Sequence, residues 1–468
     1  MDYLITIVIL LPAVWFAAMR SSWLVDYAFL VLAFNRGLRR IVDYYVNHEF
    51  KALSPISLTP LIVILLLMIP FLSRFSLLMP RVKLIFGLFF AACACGFTIG
   101  FVQNSFAAVF QLAEYLAPLS LMGFAATANA SPKTTDRWIQ SVGWTGVGVA
   151  AYGWFQYFHP PLWDALWMEQ TGMIGYLGIP EPTQIVVFST MAERGPFASY
   201  LAASAIPMIV ARRWRIWGGW LAVAFILSVI PLSYVRTALI GVALVVLIKP
   251  IVNRGRGFVA ILLSAALVFM AVKYGVDQLP TSEQVMARYE SLGSLREDSS
   301  FQGRLEIASA GIDLVASHPL GFGFGATGMS GRVNTGGVAS GSKFMDNGYI
   351  TLMLDYGWLG GLLFFSAVGL IWLEMRSRFN KGVQDEYMAL GRAWYLALLI
   401  TLYVANVYTG AYVFWLFAGV VLSSRYDPMI RRLLAEKLKQ RAETRTVSAS
   451  DAAPASAAPF FQQNMPPG

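Results

Sequence analysis

Along the chain, apolar residues gather into long runs separated by short polar, basic or glycine-rich stretches. The runs cover 4–19, 56–72, 84–101, 106–126, 139–158, 197–210, 216–232, 238–248, 258–272, 349–373, 394–408 and 411–422. A helix needs about 20 mainly apolar residues to cross the hydrocarbon core of a bilayer, and with their flanks these runs reach or approach that length. The pattern predicts an all-α polytopic membrane protein with about twelve transmembrane helices. The run at 22–34 is apolar but short and ends in Arg36-Gly-Leu-Arg39-Arg40. It either lies in the interface or makes a thirteenth crossing.

One long stretch breaks the apolar pattern. Residues 274–344 are polar, with Arg288, Arg296, Arg304, Arg332, Lys343 and a glycine cluster at 321–331, followed by Asp346-Asn347. Loops of this length on a rigid scaffold tend to carry function. Within it Phe301, Leu305, Ala308, Ile312 and Val315 recur at helical spacing, which predicts an amphipathic helix with Glu306 and Asp313 pointing away. The expected organisation is a membrane domain over 1–424, interrupted by a large outer loop at 274–345 and a smaller one at 159–196. A basic amphipathic segment at 425–446 suits the surface of an anionic leaflet. The tail at 447–468, mostly Ala, Ser, Pro and Gln, has little with which to build a core and is expected to be disordered.

Composition sharpens this picture. The 468 residues are 57% hydrophobic and 13% charged, with mean hydropathy +0.60. Ordinary soluble domains carry about twice that charge fraction. The net charge of +9 does not imply a nucleic-acid partner. Much of the excess sits in short clusters at run ends: Arg212 to Arg215, Lys249 with Arg254 and Arg256, Arg376 to Lys381, and Arg425 to Arg445. Such clusters mark the cytoplasmic side. Alternation then puts 159–196, the turn at 233–236 and 274–344 outside, and the C-terminus inside. The basic residues at 36–40 run against that rule. The N-terminus lacks the basic start and small-residue cleavage site of a signal peptide and reads as a retained first helix. Cys93 and Cys95, two apart on a helix, face different directions and are not expected to pair. With three histidines and no suitably spaced carboxylates, no metal or other cofactor is expected.

Several residues point to chemistry at the outer face. Arg236 stands between two apolar runs with little room for a loop. It either snorkels to headgroups or clamps an anion, since guanidinium presents a rigid fork to phosphate oxygens. Arg304 starts the loop helix beside its packed face. Glu193-Arg194 precedes a spanning helix and supplies another arginine at the same depth. Gly323-Phe-Gly325-Ala-Thr-Gly328 matches a dinucleotide fingerprint only in letters, because it follows a helix and not a strand. It is read as a flexible turn through which backbone approaches a ligand. Asp346-Asn347-Gly-Tyr349 opens an apolar helix; the pair either caps it or offers a carboxylate as general base. Asp355 and Tyr356 are expected to line the same cavity. Trp154, Tyr157, His159, Trp163 and Trp167 form either an interfacial belt or a surface for stacking sugar rings.

The order of Ser233-Tyr-Val-Arg236-Thr-Ala, a helix with Arg304 leading to His318-Pro-Leu-Gly-Phe-Gly-Phe-Gly325, and Asp346-Asn347-Gly-Tyr-Ile-Thr-Leu-Met-Leu-Asp-Tyr-Gly357-Trp-Leu-Gly360-Gly resembles the O-antigen ligase and Wzy-type polymerase superfamily. These are multi-spanning enzymes of bacterial surface polysaccharide assembly. The likeness is best over 197–373. It implies a GT-C-like helical fold in the inner membrane and metal-independent glycosyl transfer at the periplasmic face. The donor would be an oligosaccharide on polyprenyl (undecaprenyl) diphosphate. It also implies Arg236 and Arg304 on the diphosphate, joined by Arg194, with Asp346 as base and Asn347, Tyr349, Glu193, Arg288 and Arg332 positioning substrate. Besides that lipid-linked oligosaccharide and the bilayer, other polysaccharide assembly proteins fit as partners. Ligases of the family usually carry His immediately before the Asn that opens the helix, where this chain has Asp346. The aromatic residue often found four positions after the loop arginine is here Ala308. Both departures favour an exopolysaccharide or O-antigen repeat-unit polymerase over a ligase acting on lipid A core. A transporter of lipid-linked oligosaccharide is the reading from another class, but no internal repeat supports it.

Overall fold

In lipid the backbone must satisfy its own polar groups, so an apolar run that crosses has one local solution, the helical ladder. The computed structural model describes residues 1–50, 54–253, 299–328, 347–403, 406 and 408–426, with backbone alone at 252–253 and 299–305. In chain order the helices are α1 (Asp2–Ala18), α2 (Trp23–Val42), α3 (Pro55–Leu65), α4 (Met68–Ser73), α5 (Pro80–Asn104), α6 (Phe106–Thr127) and α7 (Pro132–Phe158). There follow α8 (Leu162–Gln170), α9 (Arg194–Val210), α10 (Trp220–Val229), α11 (Arg236–Asn253), α12 (Ser299–Ser317), α13 (Gly348–Asn380), α14 (Glu386–Leu402) and α15 (Tyr412–Leu422). No strand occurs among the described residues.

Among the described residues, four stretches are long and apolar enough to cross a membrane: Pro55–Ser73, Pro80–Asn104, Phe106–Thr127 and Gly348–Asn380. Asp2–Ala18, Trp220–Ser233 and Tyr412–Leu422 are apolar but shorter. The expectation of about twelve spans is thus met in part. The run at 258–272, most of the loop at 274–345 and the segments beyond 426 lie outside the described residues.

Contacts at helix ends give the antiparallel order. At one end Arg213 meets Asp136 at 3.6 Å and Glu386 at 2.8 Å, and Tyr387 Oη donates to Asp136 at 2.5 Å. There too Arg425 donates to Thr135 Oγ1 at 3.0 Å, and Arg378 to the Val421 and Ser423 carbonyls at 3.1 and 2.8 Å. Basic clusters far apart in sequence therefore share one end. At the other end the Val187 amide donates to the Leu232 carbonyl at 3.0 Å, bringing the 159–196 segment to the 233–236 turn. Tyr349 Oη donates to the Leu399 carbonyl there at 2.7 Å.

Helix α2 joins the two ends. Near its start Arg137 Nη2 donates to Ser22 Oγ at 2.9 Å and pairs with Asp26, also at 2.9 Å. Near its finish Arg40 pairs with Asp164 at 2.6 Å and donates to the carbonyls of Met191 (2.6 Å) and Ser189. The run at 22–34 therefore belongs to a helix traversing the bundle, and does not lie flat at an interface. Its basic end still runs against the charge rule, but two of its arginines are held by carboxylates, Arg39 by Asp43 at 3.2 Å and Arg40 by Asp164.

The Arg40–Asp164 pair is buried, with the two side chains 2% and 0% exposed, and Asp164 also accepts from Tyr152 Oη at 3.0 Å and Gln156 Nε2 at 2.5 Å. Removing one partner of a buried pair costs about 3–5 kcal/mol because the other charge is stranded. Arg40→Met should accordingly lower the thermal midpoint and yield of detergent-solubilised protein. Adding Asp164→Asn should recover part of the loss, and a single variant that melts like wild type would refute the pin.

Candidate functional site

The glycine-rich segment after α12 is built into the bundle. Pro319 cannot continue the helix, and Gly321, Gly323 and Gly325 take φ of +70°, +68° and +87°, open mainly to glycine. The segment then runs between α5, α6 and α13. Its Phe322 amide donates to the Leu354 carbonyl at 2.7 Å, and its Phe324 amide to the Gly96 carbonyl at 3.0 Å. Asn104 Nδ2 donates to the Phe322 and Phe324 carbonyls at 3.2 and 2.9 Å, and Gln111 accepts from the Gly325 amide. Glycines 96 and 100 of α5 admit this approach; a Cβ on either would strike Phe324. Phe324 is fully buried, stacked on Tyr115 with ring centroids 5.0 Å apart. The expected flexible turn toward a ligand is corrected here: the backbone does approach closely, but to the chain's own helices.

A carboxylate sits at the centre of this knot. Asp355, 0% exposed, accepts from Tyr115 Oη at 2.5 Å, Gln111 Nε2 at 2.7 Å and Thr327 Oγ1 at 2.7 Å. It occupies α13 just before Gly357, where φ of +66° breaks the helix and lets the Trp358 amide reach the Pro319 carbonyl at 2.8 Å. Asp355 and Tyr356 (1% exposed) therefore do not line an open cavity. Their role is to hold the segment in place. Cys93 and Cys95 are both free, and Cys93 Sγ lies 3.7 Å from Tyr356 Oη.

The residues expected to act on substrate divide into three groups. Arg236 opens α11 two residues after Tyr234, a left-handed residue with φ of +56°, and is half-buried. Arg194 opens α9 with its guanidinium 4.2 Å from the Tyr176 ring centroid, and Glu193 occupies the N-cap position without capping through its side chain. Asn347 caps α13, its side-chain oxygen accepting from the Tyr349 and Ile350 amides at 3.0 and 3.2 Å. Asn347 thus serves as the N-cap of α13. Tyr349 is held by its bond to Leu399 and by stacking on Phe365 at 5.7 Å. The backbone at Arg304 is helical within α12, while its side chain, and Asp346, Arg288 and Arg332 entirely, lie outside the described residues. On α12 Glu306 and Asp313 are exposed as expected. Ile312 is 61% exposed, so the expected buried stripe is not fully covered by the described residues. Among the aromatics, Tyr157 is buried while Trp163 Nε1 donates to Tyr152 Oη at 2.6 Å; these contacts serve packing.

One charged residue escaped the sequence reading: Glu114, half-buried on α6. A lone carboxylate inside an apolar run was the available signal for Glu114. Among the described residues no group of three or more His, Cys, Asp or Glu side chains is placed to hold a metal ion.

With this geometry the chain can be compared with known proteins. Residues 221–365 match the O-antigen ligase family model, Wzy_C. The match bears out, over that stretch, the resemblance to the O-antigen ligase and Wzy-type superfamily, membrane enzymes of glycosyltransferase type that act on lipid-linked glycans. It takes in Arg236, Arg304, Asp346 and Asn347 as well as Asp355 and the glycine-rich segment at 321–328; Glu193-Arg194 and the α5 and α6 partners of Asp355 and that segment precede it. No curated protein matches the sequence.

The knot makes a sharp contrast between two glycines with positive φ. At Gly323 a Cβ would collide with the Gly100 backbone, whereas at Gly328 (φ +61°) nothing stands within 4 Å. Gly323→Ala should abolish monodisperse protein in size-exclusion chromatography. Gly328→Ala should cost only the left-handed strain of about 1–2 kcal/mol. Equal behaviour of the two would show that the segment is not docked as described.

Proposed function

We propose that this protein is a bacterial surface-polysaccharide polymerase. It transfers glycan from polyprenyl diphosphate to the next lipid-linked repeat unit at the periplasmic face of the inner membrane. One observation carries the reading: the family match spans Arg236, Arg304 and Asp346 in the order in which they resemble the superfamily's outer turn, loop helix and helix-opening position.

The chemistry follows from the leaving group. The acceptor hydroxyl oxygen forms a bond to the anomeric carbon as the bond from that carbon to the diphosphate oxygen breaks. The electron pair leaves with the diphosphate, and the hydroxyl proton passes to the Asp346 carboxylate. Charge on the diphosphate grows along the reaction, so guanidinium groups fixed around it stabilise the transition state more than the ground state. Arg236 and Arg304 supply that charge, with Arg194 at the opening of α9. Arg288 and Arg332 act in positioning, and no metal or nucleotide is needed. The remainder of 274–345 acts as a lid completing the site.

The family model's own description, O-antigen ligase, favours a second reading in which the glycan goes to lipid A core. Purified protein given lipid-linked donor with either more lipid-linked repeat or lipid A core separates the two. A ladder of lengthening products supports the polymerase, and a single transfer to core supports the ligase.

Arg236→Lys and Arg304→Lys keep charge and lose the fork. Each is expected to lower polymer formation by about 10²–10³-fold, the scale of losing one fixed transition-state donor, with Asp346→Asn in a similar range. Polymer length on gels after complementation of a deletion strain reads the result. Normal length from both arginine variants, at normal expression, would sink the clamp.

A further inference from the structure

Several arginines of this bundle lie against aromatic rings and are also taken up by a carboxylate. Arg39, Arg40, Arg137 and Arg213 have their guanidinium groups 4.3, 4.9, 3.8 and 4.2 Å from the ring centroids of Phe50, Phe188, Trp23 and Tyr387, and each pairs with an acidic side chain as well. Arg194 is different. Its guanidinium lies 4.2 Å from the centroid of Tyr176, yet among the described residues no carboxylate, carbonyl or hydroxyl accepts from it. Contact over a ring uses the flat face of a guanidinium and leaves the in-plane N–H donors at its edge. A half-buried cation held only in this way still has its whole fork to give.

Tyr176 sits on a fixed turn. The residue is 49% exposed, but the Gly175 amide before it donates to the Gly178 carbonyl at 3.1 Å, and the Leu177 amide after it to the Met173 carbonyl at 2.9 Å. The Val186 amide closes on the Leu177 carbonyl at 2.9 Å, and Leu177 packs with Met168, Ile185 and Phe188 in a small core of its own. That core leans on Arg40, which stands over the Phe188 ring and donates to the Met191 carbonyl at 2.6 Å, just ahead of Arg194. Ring and guanidinium are thus both set from the buried Arg40–Asp164 pair. The Tyr176 hydroxyl bonds to no described residue, so what this side chain contributes is its ring.

We propose that Tyr176 is a positioning residue for the lipid diphosphate: its ring holds Arg194 by the face, so that the guanidinium edge meets the phosphate oxygens. The inference rests on the proposed diphosphate role of Arg194 and adds what aims it. A loose arginine gives up its rotamer freedom when it binds, whereas a stacked one has already given it up, and the difference appears as affinity. The ligand is an oxyanion because the planar fork matches two oxygens of one phosphate.

The test compares undecaprenyl diphosphate with undecaprenol on full-length protein in nanodiscs. Tyr176→Leu should bind the diphosphate about three- to fivefold more weakly, on the scale of an exposed cation–π contact, while Tyr176→Phe keeps the ring and binds as wild type does. Arg194→Gln should weaken binding about tenfold, and in that background Tyr176→Leu should cost nothing further, because the two act as one unit. Undecaprenol, which lacks the charge, should bind every variant alike. The proposal is overturned if Tyr176→Leu binds the diphosphate normally or if Tyr176→Phe is as weak as Tyr176→Leu. It is equally overturned if the loss persists without Arg194 or extends to undecaprenol, since either marks a merely structural ring. Should wild type bind through this pair but transfer no glycan from lipid-linked donor, the transfer reading fails and the positioning stands. Should it transfer glycan while Tyr176→Leu keeps full diphosphate affinity, the positioning alone fails.

Discussion

A carboxylate cannot be left in an apolar interior without donors, and the packing of α5, α6 and α13 is arranged around that constraint. Asp355 gathers Tyr115 and Gln111 from α6 and Thr327 from the glycine-rich segment. Each donor commits an element to one place. The segment is further held by backbone bonds to Gly96 and Leu354, so it behaves as a buried strut between α5 and α13. Once it is placed, the start of α13 and the end of α12 are placed with it. The strut enters the chain just after the loop helix that bears Arg304 and runs beside the helix that Asn347 opens.

The same constraint acts at the basic end of α2. Arg40 is too deep to be hydrated and meets Asp164, which in turn holds Tyr152 and Gln156. Through the Ser189 and Met191 carbonyls, Arg40 also ties down the chain immediately before Glu193-Arg194. Buried charge thus secures the 159–196 segment over the bundle. Arg36 of the same helix, by contrast, is exposed.

Several features of the fold were legible in the residues. Apolar runs at 106–126 and 349–373 became α6 and α13 with small changes at their ends. The helical spacing from Phe301 to Val315 became α12, and basic clusters separated by over 200 residues came to one end of the bundle. The family resemblance, read from short motifs, was shown over 221–365. Less legible was the work of the glycines at 321–325, because close backbone approach looks alike in sequence whether the partner is a ligand or a neighbouring helix.

What the sequence determined by itself was the solvent. Long apolar runs with charge confined to their ends admit a helical membrane protein and little else, since the backbone must be satisfied within each run. It also ordered the arginines, Asp346-Asn347 and the glycine cluster along the chain. Which charges were spent and which were left for chemistry was decided only by tertiary structure. Asp355 and Arg36 are equally rare residues in apolar surroundings, and no local pattern separates them. One is enclosed by three donors from two other parts of the chain, while the other is exposed. That difference comes from the packing of segments as much as 244 residues apart in the Asp355 cluster, as between Gln111 and Asp355, a distance over which periodicity and propensity carry no information.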